Sequence, residues 1–201
     1  MKIFCVGENY AEHAKELGNK IPTEPVIFMK SPTAYVPNNS DVPYPSFSQN
    51  FHYEMEIVLK INKTGTQIQE ADAGTYYSEI TAGIDFTARD LQFTLREKGL
   101  PWEICKGFDK SALIGDVIER PQDIGVIDFY LLKNGEKVQS GNTRDLIFSF
   151  DKIISYISRF FTLEKDDVIF TGTPVGVGPV QKGDHLEGFV NDKKLLDCKI
   201  I

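Results

Sequence analysis

The segment HYEMEIVLK, residues 52–60, places Glu54 and Glu56 inside an otherwise apolar run. Its alternation predicts a strand over 53–61, with Tyr53, Met55, Ile57, Leu59 and Ile61 on one face. Side chains in a strand alternate with period two, so the two glutamates point the same way, roughly 7 Å apart by strand rise. At an effective dielectric of about 20, two like charges at that separation repel by about 2 kcal/mol. Either this face, with Lys60, is turned to water, or a divalent cation cancels the repulsion. The window alone leaves both readings open.

The chain has 201 residues, which suits one domain over 1–201 with a proper buried core. Acids outnumber bases by 29 to 22 and no basic block stands out, so no nucleic-acid partner is expected. Cys5, Cys105 and Cys198 are odd in number and scattered, without a C-x-x-C pair. They predict reduced thiols rather than a disulfide framework or a zinc site. The apolar run 3–6 is too short for a signal peptide, and no stretch reaches the about 18 apolar residues of a membrane span. The expected setting is cytoplasmic, with no membrane partner.

Around the acidic strand, residues 2–6 read as a short strand broken by Gly7, and Asn9 is placed to cap a helix from 10 to about 17. Prolines and polar turn residues over 21–50 predict short strands joined by loops, the best being PVIFMK at 25–30. A short helix is predicted over 70–77, a strand at EITAGIDFT, 79–87, and a helix over 88–98 stopped by Gly99 and Pro101. Strands are predicted near 104–106, 113–118, 126–133 and 137–139. Asn134-Gly135 is a strong hairpin signal, and a terminal hairpin turns at Asn191-Asp192. Residues 151–161 predict an amphipathic helix with Ile153, Ile154, Ile157, Phe160 and Phe161 as its stripe. DVIFTG, 167–172, is a buried strand that runs into the glycine-rich loop GTPVGVG, 172–178. Strands dominate and βαβ alternation is rare, so the fold class is α+β with a β-rich core.

Several residues carry chemistry in one reading and structure in another. Asp85 ends an apolar strand just before a helix: it is a helix-terminus acid, or a third carboxylate for a hard, all-oxygen site suited to Mg²⁺, Mn²⁺ or Ca²⁺. His13 and Glu16, three apart on the first helix, are a surface ion pair or a carboxylate-held general base. Arg89 and Gln92 share a helix face that is solvated or aimed at a substrate carboxylate. Lys106, in the apolar WEICKGF, either snorkels or is paired. His52 and His185 read as structural. The 172–178 loop lacks both the P-loop and the dinucleotide spacing; its backbone N–H groups and the Thr171 and Thr173 hydroxyls suit a carboxylate instead. No G-x-S-x-G is present, which argues against a nucleophile-elbow hydrolase.

Taken in order, CVGENYAEHAKELG, PVIFMKSPTAY, HYEMEIV, GIDFTARDLQ, LPWEICKGFD and IISYISRFFTLEKDDVIFTGTPVGVGPV resemble the fumarylacetoacetate hydrolase family, over roughly residues 3–190. The chain is most similar to short, single-domain members without the extra N-terminal domain of the name-giving hydrolase. The resemblance implies a distorted β-roll with flanking helices, and often a homodimer. It implies that Glu54, Glu56 and Asp85 hold a metal, Mg²⁺ first and Mn²⁺ or Ca²⁺ as alternatives. It implies a catalytic dyad of His13 and Glu16 on a lid helix, an active-site Lys106, and substrate contacts at Arg89, Gln92 and Thr173. The implied substrate is a small 2-oxo acid or dicarboxylate. The leading activity is hydrolysis of an acylpyruvate, of acetylpyruvate or fumarylpyruvate type, through a pyruvate enolate. Oxaloacetate decarboxylation or tautomerisation, or isomerisation of a hydroxyhepta-diene-dioate, is the alternative. A non-catalytic 2-oxo acid binder is the reading outside enzymes.

Overall fold

A computed structural model describes residues 1–12 and 21–201. The expected lid helix, with His13 and Glu16, therefore lies outside the described residues apart from its first turn. In chain order the strands are β1 (Ile3–Gly7), β2 (Val26–Lys30), β3 (Tyr35–Pro37), β4 (Phe51–Tyr53), β5 (Met55–Ile61), β6 (Tyr77–Asp85), β7 (Thr87–Ala88) and β8 (Ala112–Ile114). Then come β9 (Ile118–Glu119), β10 (Asp128–Lys133), β11 (Glu136–Asn142), β12 (Val168–Phe170), β13 (Gly178–Pro179), β14 (His185–Val190) and β15 (Lys193–Lys199). The described α-helices are short: α1 (Glu70–Ala73), α2 (Arg89–Glu97), α3 (Glu103–Lys106) and α4 (Phe150–Ser158).

The largest sheet runs β2-β1-β12-β5-β6-β8-β3, with β9 added on β6. It is mixed, since β1 pairs parallel to β12 and β3 parallel to β8, while the remaining pairs are antiparallel. A four-stranded sheet, β11-β10-β14-β15, covers one face of β5 and β6. The approach is close: a Cβ added at Gly188 on β14 would lie 3.3 Å from Met55 Sδ on β5. Met55, Ile57, Leu59 and Ile61 point into this main core, whereas Val58 packs with Cys5, Ala112 and Phe170 on the opposite face. Both faces of β5 are thus dry, and each such aliphatic side chain contributes roughly 1.5–3 kcal/mol by leaving water.

Most predicted elements are present, with boundaries moved for physical reasons. The strand expected over 53–61 is broken at Glu54: β4 belongs to a small sheet, β13-β4-β7, and β5 to the large one. The strand expected near 104–106 is instead part of the single helical turn α3. The helix expected over 70–77 stops at Ala73, and Tyr77 already begins β6. Helix α4 is capped by Ser149, whose Oγ accepts from Lys152 N at 3.2 Å, and ends at Ser158. Phe160, 61% exposed, therefore falls beyond the buried stripe of Ile153, Ile154 and Ile157. Both hairpin turns fall as expected, with positive φ at Asn134 and Gly135 and at Asn191 and Asp192. Asn9 is buried and its side chain joins distant segments, at Thr171 and Phe148; the helix it was expected to cap lies largely outside the described residues.

Candidate metal centre

The two chains that form β5 and β6 stay paired as they pass from the large sheet to the small one. Met55 faces Ile84 in the former and His52 faces Thr87 in the latter. At the crossing, Asp85 N donates to Glu54 O at 2.9 Å. Continuing the register of β5 and β6, Glu54 stands opposite Asp85 and on the same face as Glu56, which lies inside β5 opposite Gly83. One carboxylate oxygen from each of the three residues lies within 4.8 Å of the others. They are 5%, 2% and 1% exposed, so the solvated-face reading of the two glutamates fails.

Three acids this close, and this dry, are held by an inner ring of cations. Lys106 Nζ donates to Glu54 Oε2 and Asp85 Oδ2, each at 2.8 Å, and to Thr87 Oγ1 at 2.7 Å. Arg89 Nη2 donates to Glu54 Oε1 at 2.5 Å. Lys30 Nζ lies 2.8 Å from Asp85 Oδ1 as an ion pair. Lys30 also donates to the carbonyl of Lys106 and to Ser111 Oγ, so it fixes the backbone that carries the other lysine. Burial alone would lower the Lys106 pKa; the Asp85 and Glu54 carboxylates overcome that and hold it above its ordinary value. Glu56 moves the opposite way from a paired acid. Burial, then the charges of Asp85 and Glu54, raise its pKa far above 4.5, although Gly172 N donates to Oε2 at 2.6 Å.

The donor set fits a hard divalent cation. It is all oxygen and buried, and one carboxylate oxygen of each residue lies within 4.8 Å of the others. Glu56 is a carboxyl whose charge such an ion would restore.

The expected substrate side is built from α2 and the glycine-rich loop. Arg89 and Gln92, both buried, are joined by a 2.5 Å hydrogen bond from Nη1 to Oε1; they do not form a solvated face. Thr173 Oγ1 donates to Met55 O at 2.8 Å and accepts from Gln139 Nε2 at 2.7 Å, and Thr171 Oγ1 donates to Ile57 O at 2.8 Å. The loop's hydroxyl protons are thus directed at β5 carbonyls, and its Gly172 N–H is taken by the protein's own Glu56. Asn9 ties this loop down, donating to Thr171 O at 2.8 Å and to Phe148 O at 3.1 Å while accepting from Phe148 N. His52 Nε2 bonds Asn50 Oδ1 at 2.8 Å; burial, then the Arg89 charge, lower its pKa to about 4. His185 Nε2 pairs with Asp197 at 2.9 Å.

Lys30 was missed as a site residue. Its signal was present: a lysine closing the apolar run VIFM has no solvated alternation to belong to, so a buried anion must receive it.

The chain has counterparts in sequence and fold. Residues 2–200 match the fumarylacetoacetate hydrolase C-terminal family, and the chain belongs to it. The chain is 41% identical over 191 residues to the mitochondrial oxaloacetate tautomerase FAHD1 of Mus musculus, covering 94% of this chain and 86% of that one. Identity to the Arabidopsis thaliana protein of the same name is 42% over 187 residues, covering 92% and 84%. Among solved structures, fumarylpyruvate hydrolase from Pseudomonas aeruginosa, in complex with Mn²⁺ and pyruvate, superposes with a TM-score of 0.94 at 38% identity. That match covers all of this chain and 89% of the other. The 2-hydroxyhepta-2,4-diene-1,7-dioate isomerase of Mycobacterium marinum superposes with a TM-score of 0.87 at 30% identity, covering 100% and 74%.

Proposed function

We propose that this chain is a divalent-metal-dependent enzyme that enolises a small 2-oxo acid, with keto–enol tautomerisation of oxaloacetate as its reaction. The observation that carries the reading is the buried convergence of Glu54, Glu56 and Asp85 beside the ammonium of Lys106. Mg²⁺ is the proposed ion, and the Mn²⁺ in the Pseudomonas relative supports a cation of this class. Held by the three carboxylates, it would supply Lewis-acid charge beside the 2-oxo group and so favour loss of the neighbouring C–H proton.

The chain's own groups supply the rest. The planar fork of Arg89, steadied by Gln92, binds and orients the substrate carboxylate. Lys106 donates an N–H to the oxygen that gains charge as the C–H proton leaves. Thr173 closes the carboxylate end by turning its hydroxyl away from Met55 O. Proton transfer to and from carbon is assigned to His13 with Glu16, as the resemblance implies. Burial keeps water from competing for these donors.

Acylpyruvate hydrolysis, the leading expectation from the sequence, is the second reading. The Pseudomonas fumarylpyruvate hydrolase favours it. It needs the same enolate and, in addition, an attacking water activated by His13. Tautomerisation stands first because it uses only the enolate step and because relatives over 90% of this chain's length bear that name.

The deciding experiment strips the protein with EDTA, restores Mg²⁺, and follows oxaloacetate, acetylpyruvate and fumarylpyruvate by ultraviolet absorbance. Metal-dependent interconversion of oxaloacetate forms faster than cleavage of either acylpyruvate supports the first reading, and faster cleavage supports the second. Activity on any of them that survives EDTA and the Asp85→Ala change would remove both.

A further inference from the structure

Two of the three candidate ligands already hold buried cations: Glu54 pairs with Lys106 and Arg89, and Asp85 with Lys106 and Lys30. Of the three cations, Lys106 stands apart. An ammonium has three hydrogens, and those of Lys106 are engaged by Glu54 Oε2, Asp85 Oδ2 and Thr87 Oγ1. Its nitrogen therefore bridges two of the three candidate ligands, 2.8 Å from each. Lys30 and Arg89 each touch one ligand from the outer side and are anchored elsewhere, Lys30 on the Lys106 carbonyl and Ser111, Arg89 on Gln92.

We propose that Lys106 is a counter-cation that competes with the divalent ion for Glu54 and Asp85. It holds Glu54 and Asp85 in register, and a divalent ion enters only as this ammonium leaves at least one of them. The inference rests on the reading that these carboxylates bind a metal, and it explains how one lysine serves both states. With its hydrogens engaged, Lys106 has none for a substrate. Displacement frees an N–H beside the bound cation, so the donor that stabilises the enolate oxygen is armed by metal entry.

The test is calorimetric titration of Mg²⁺ into the EDTA-stripped full chain, as wild type, Lys106→Met and Asp85→Asn. Methionine keeps the length of the stem and removes the competing charge. The expected result is at least about tenfold tighter Mg²⁺ binding by Lys106→Met than by wild type, with no heat from Asp85→Asn. Unchanged or weaker binding by Lys106→Met, with wild type binding and Asp85→Asn silent, would overturn the lysine's role and leave the metal reading standing. No binding by wild type, or full binding by Asp85→Asn, would overturn the metal reading and this inference with it. A crystal structure of the wild-type protein with Mn²⁺ decides the matter even where Lys106→Met does not fold. Loss of at least one of the two 2.8 Å contacts supports displacement, and retention of both refutes it.

Discussion

Two clusters of metal-capable side chains occur among the described residues, and each contains a lysine that bridges two carboxylates. In the first, Lys106 spans Glu54 and Asp85. In the second, on β14 and β15, Lys194 spans Glu187 at 3.1 Å and Asp197 at 2.9 Å, with His185 on the far side of Asp197. On a list of ligands the two look alike. They differ in water. The lysine side chain of the first is 4% exposed and that of the second 47%. Solvent screens the outer cluster and lets its lysine swing, so its ion pairs add little to stability. In the inner cluster no solvent intervenes, and each charge is answered by a placed partner. Chemistry follows the burial rather than the roster of residue types.

The comparison is easiest to break at its inner member. Asp85→Ala should abolish Mg²⁺ binding by calorimetry and cut turnover by about 10³-fold or more, since a ligand and the lysine's partner are lost together. It should also destabilise the fold by roughly 3–5 kcal/mol in urea melts, because two buried ammonium groups lose a counter-charge. Next in size is Gly172→Ala. The residue has φ +109°, and a Cβ there would meet Asn9 Cβ at 2.7 Å. A loss of about 1–3 kcal/mol is expected in thermal melts, with weakened metal binding because Gly172 N holds Glu56.

A smaller effect is the pH dependence of the inner cluster. The Glu56 pKa is raised, so its carboxyl keeps a proton at pH values above 4.5 where the unfolded chain has lost it. In the metal-free protein this stabilises the fold at low pH, and the contribution fades as pH rises through the raised value. Metal binding needs the proton gone. Mg²⁺ affinity should therefore rise with pH above 4.5, with protons released on binding; calorimetry in buffers of different ionisation heat would measure them. The smallest effect is expected from the outer cluster. Asp197→Ala should shift stability by under about 1 kcal/mol and leave Mg²⁺ affinity unchanged; an affinity change would show the two clusters to be coupled.

The same contrast accounts for what could be read in advance. Strands β5 and β6, both hairpin turns and helix α4 follow from local periodicity and turn chemistry. The convergence of Glu54, Glu56 and Asp85 was legible through motifs taken together, not from any one of them. Less legible was whatever depends on tertiary context. The break at Glu54 arises because the paired chains change sheets, which period-two alternation cannot register. The turn 103–106 is too short and too apolar for its helical period to show. The partners of Asn9 at Phe148 and Thr171 lie about 140–160 residues away and leave no local signal. The role of Lys30 depends on Asp85, 55 residues away in sequence, which no local pattern registers.

The placement of the candidate ligands, Glu56 on β5, Asp85 on β6 and Glu54 just before β5, has a kinetic consequence. Both strands are interior to the large sheet, flanked by β12 and β8. Fraying at the rim of a sheet, the cheapest way for a folded chain to open, does not separate them. Amide exchange at Ile57 and Ile84 should then slow in step with added Mg²⁺, each tenfold excess over its dissociation constant deepening protection by about 1.4 kcal/mol. Retention of the cofactor and integrity of the whole fold would be one and the same event.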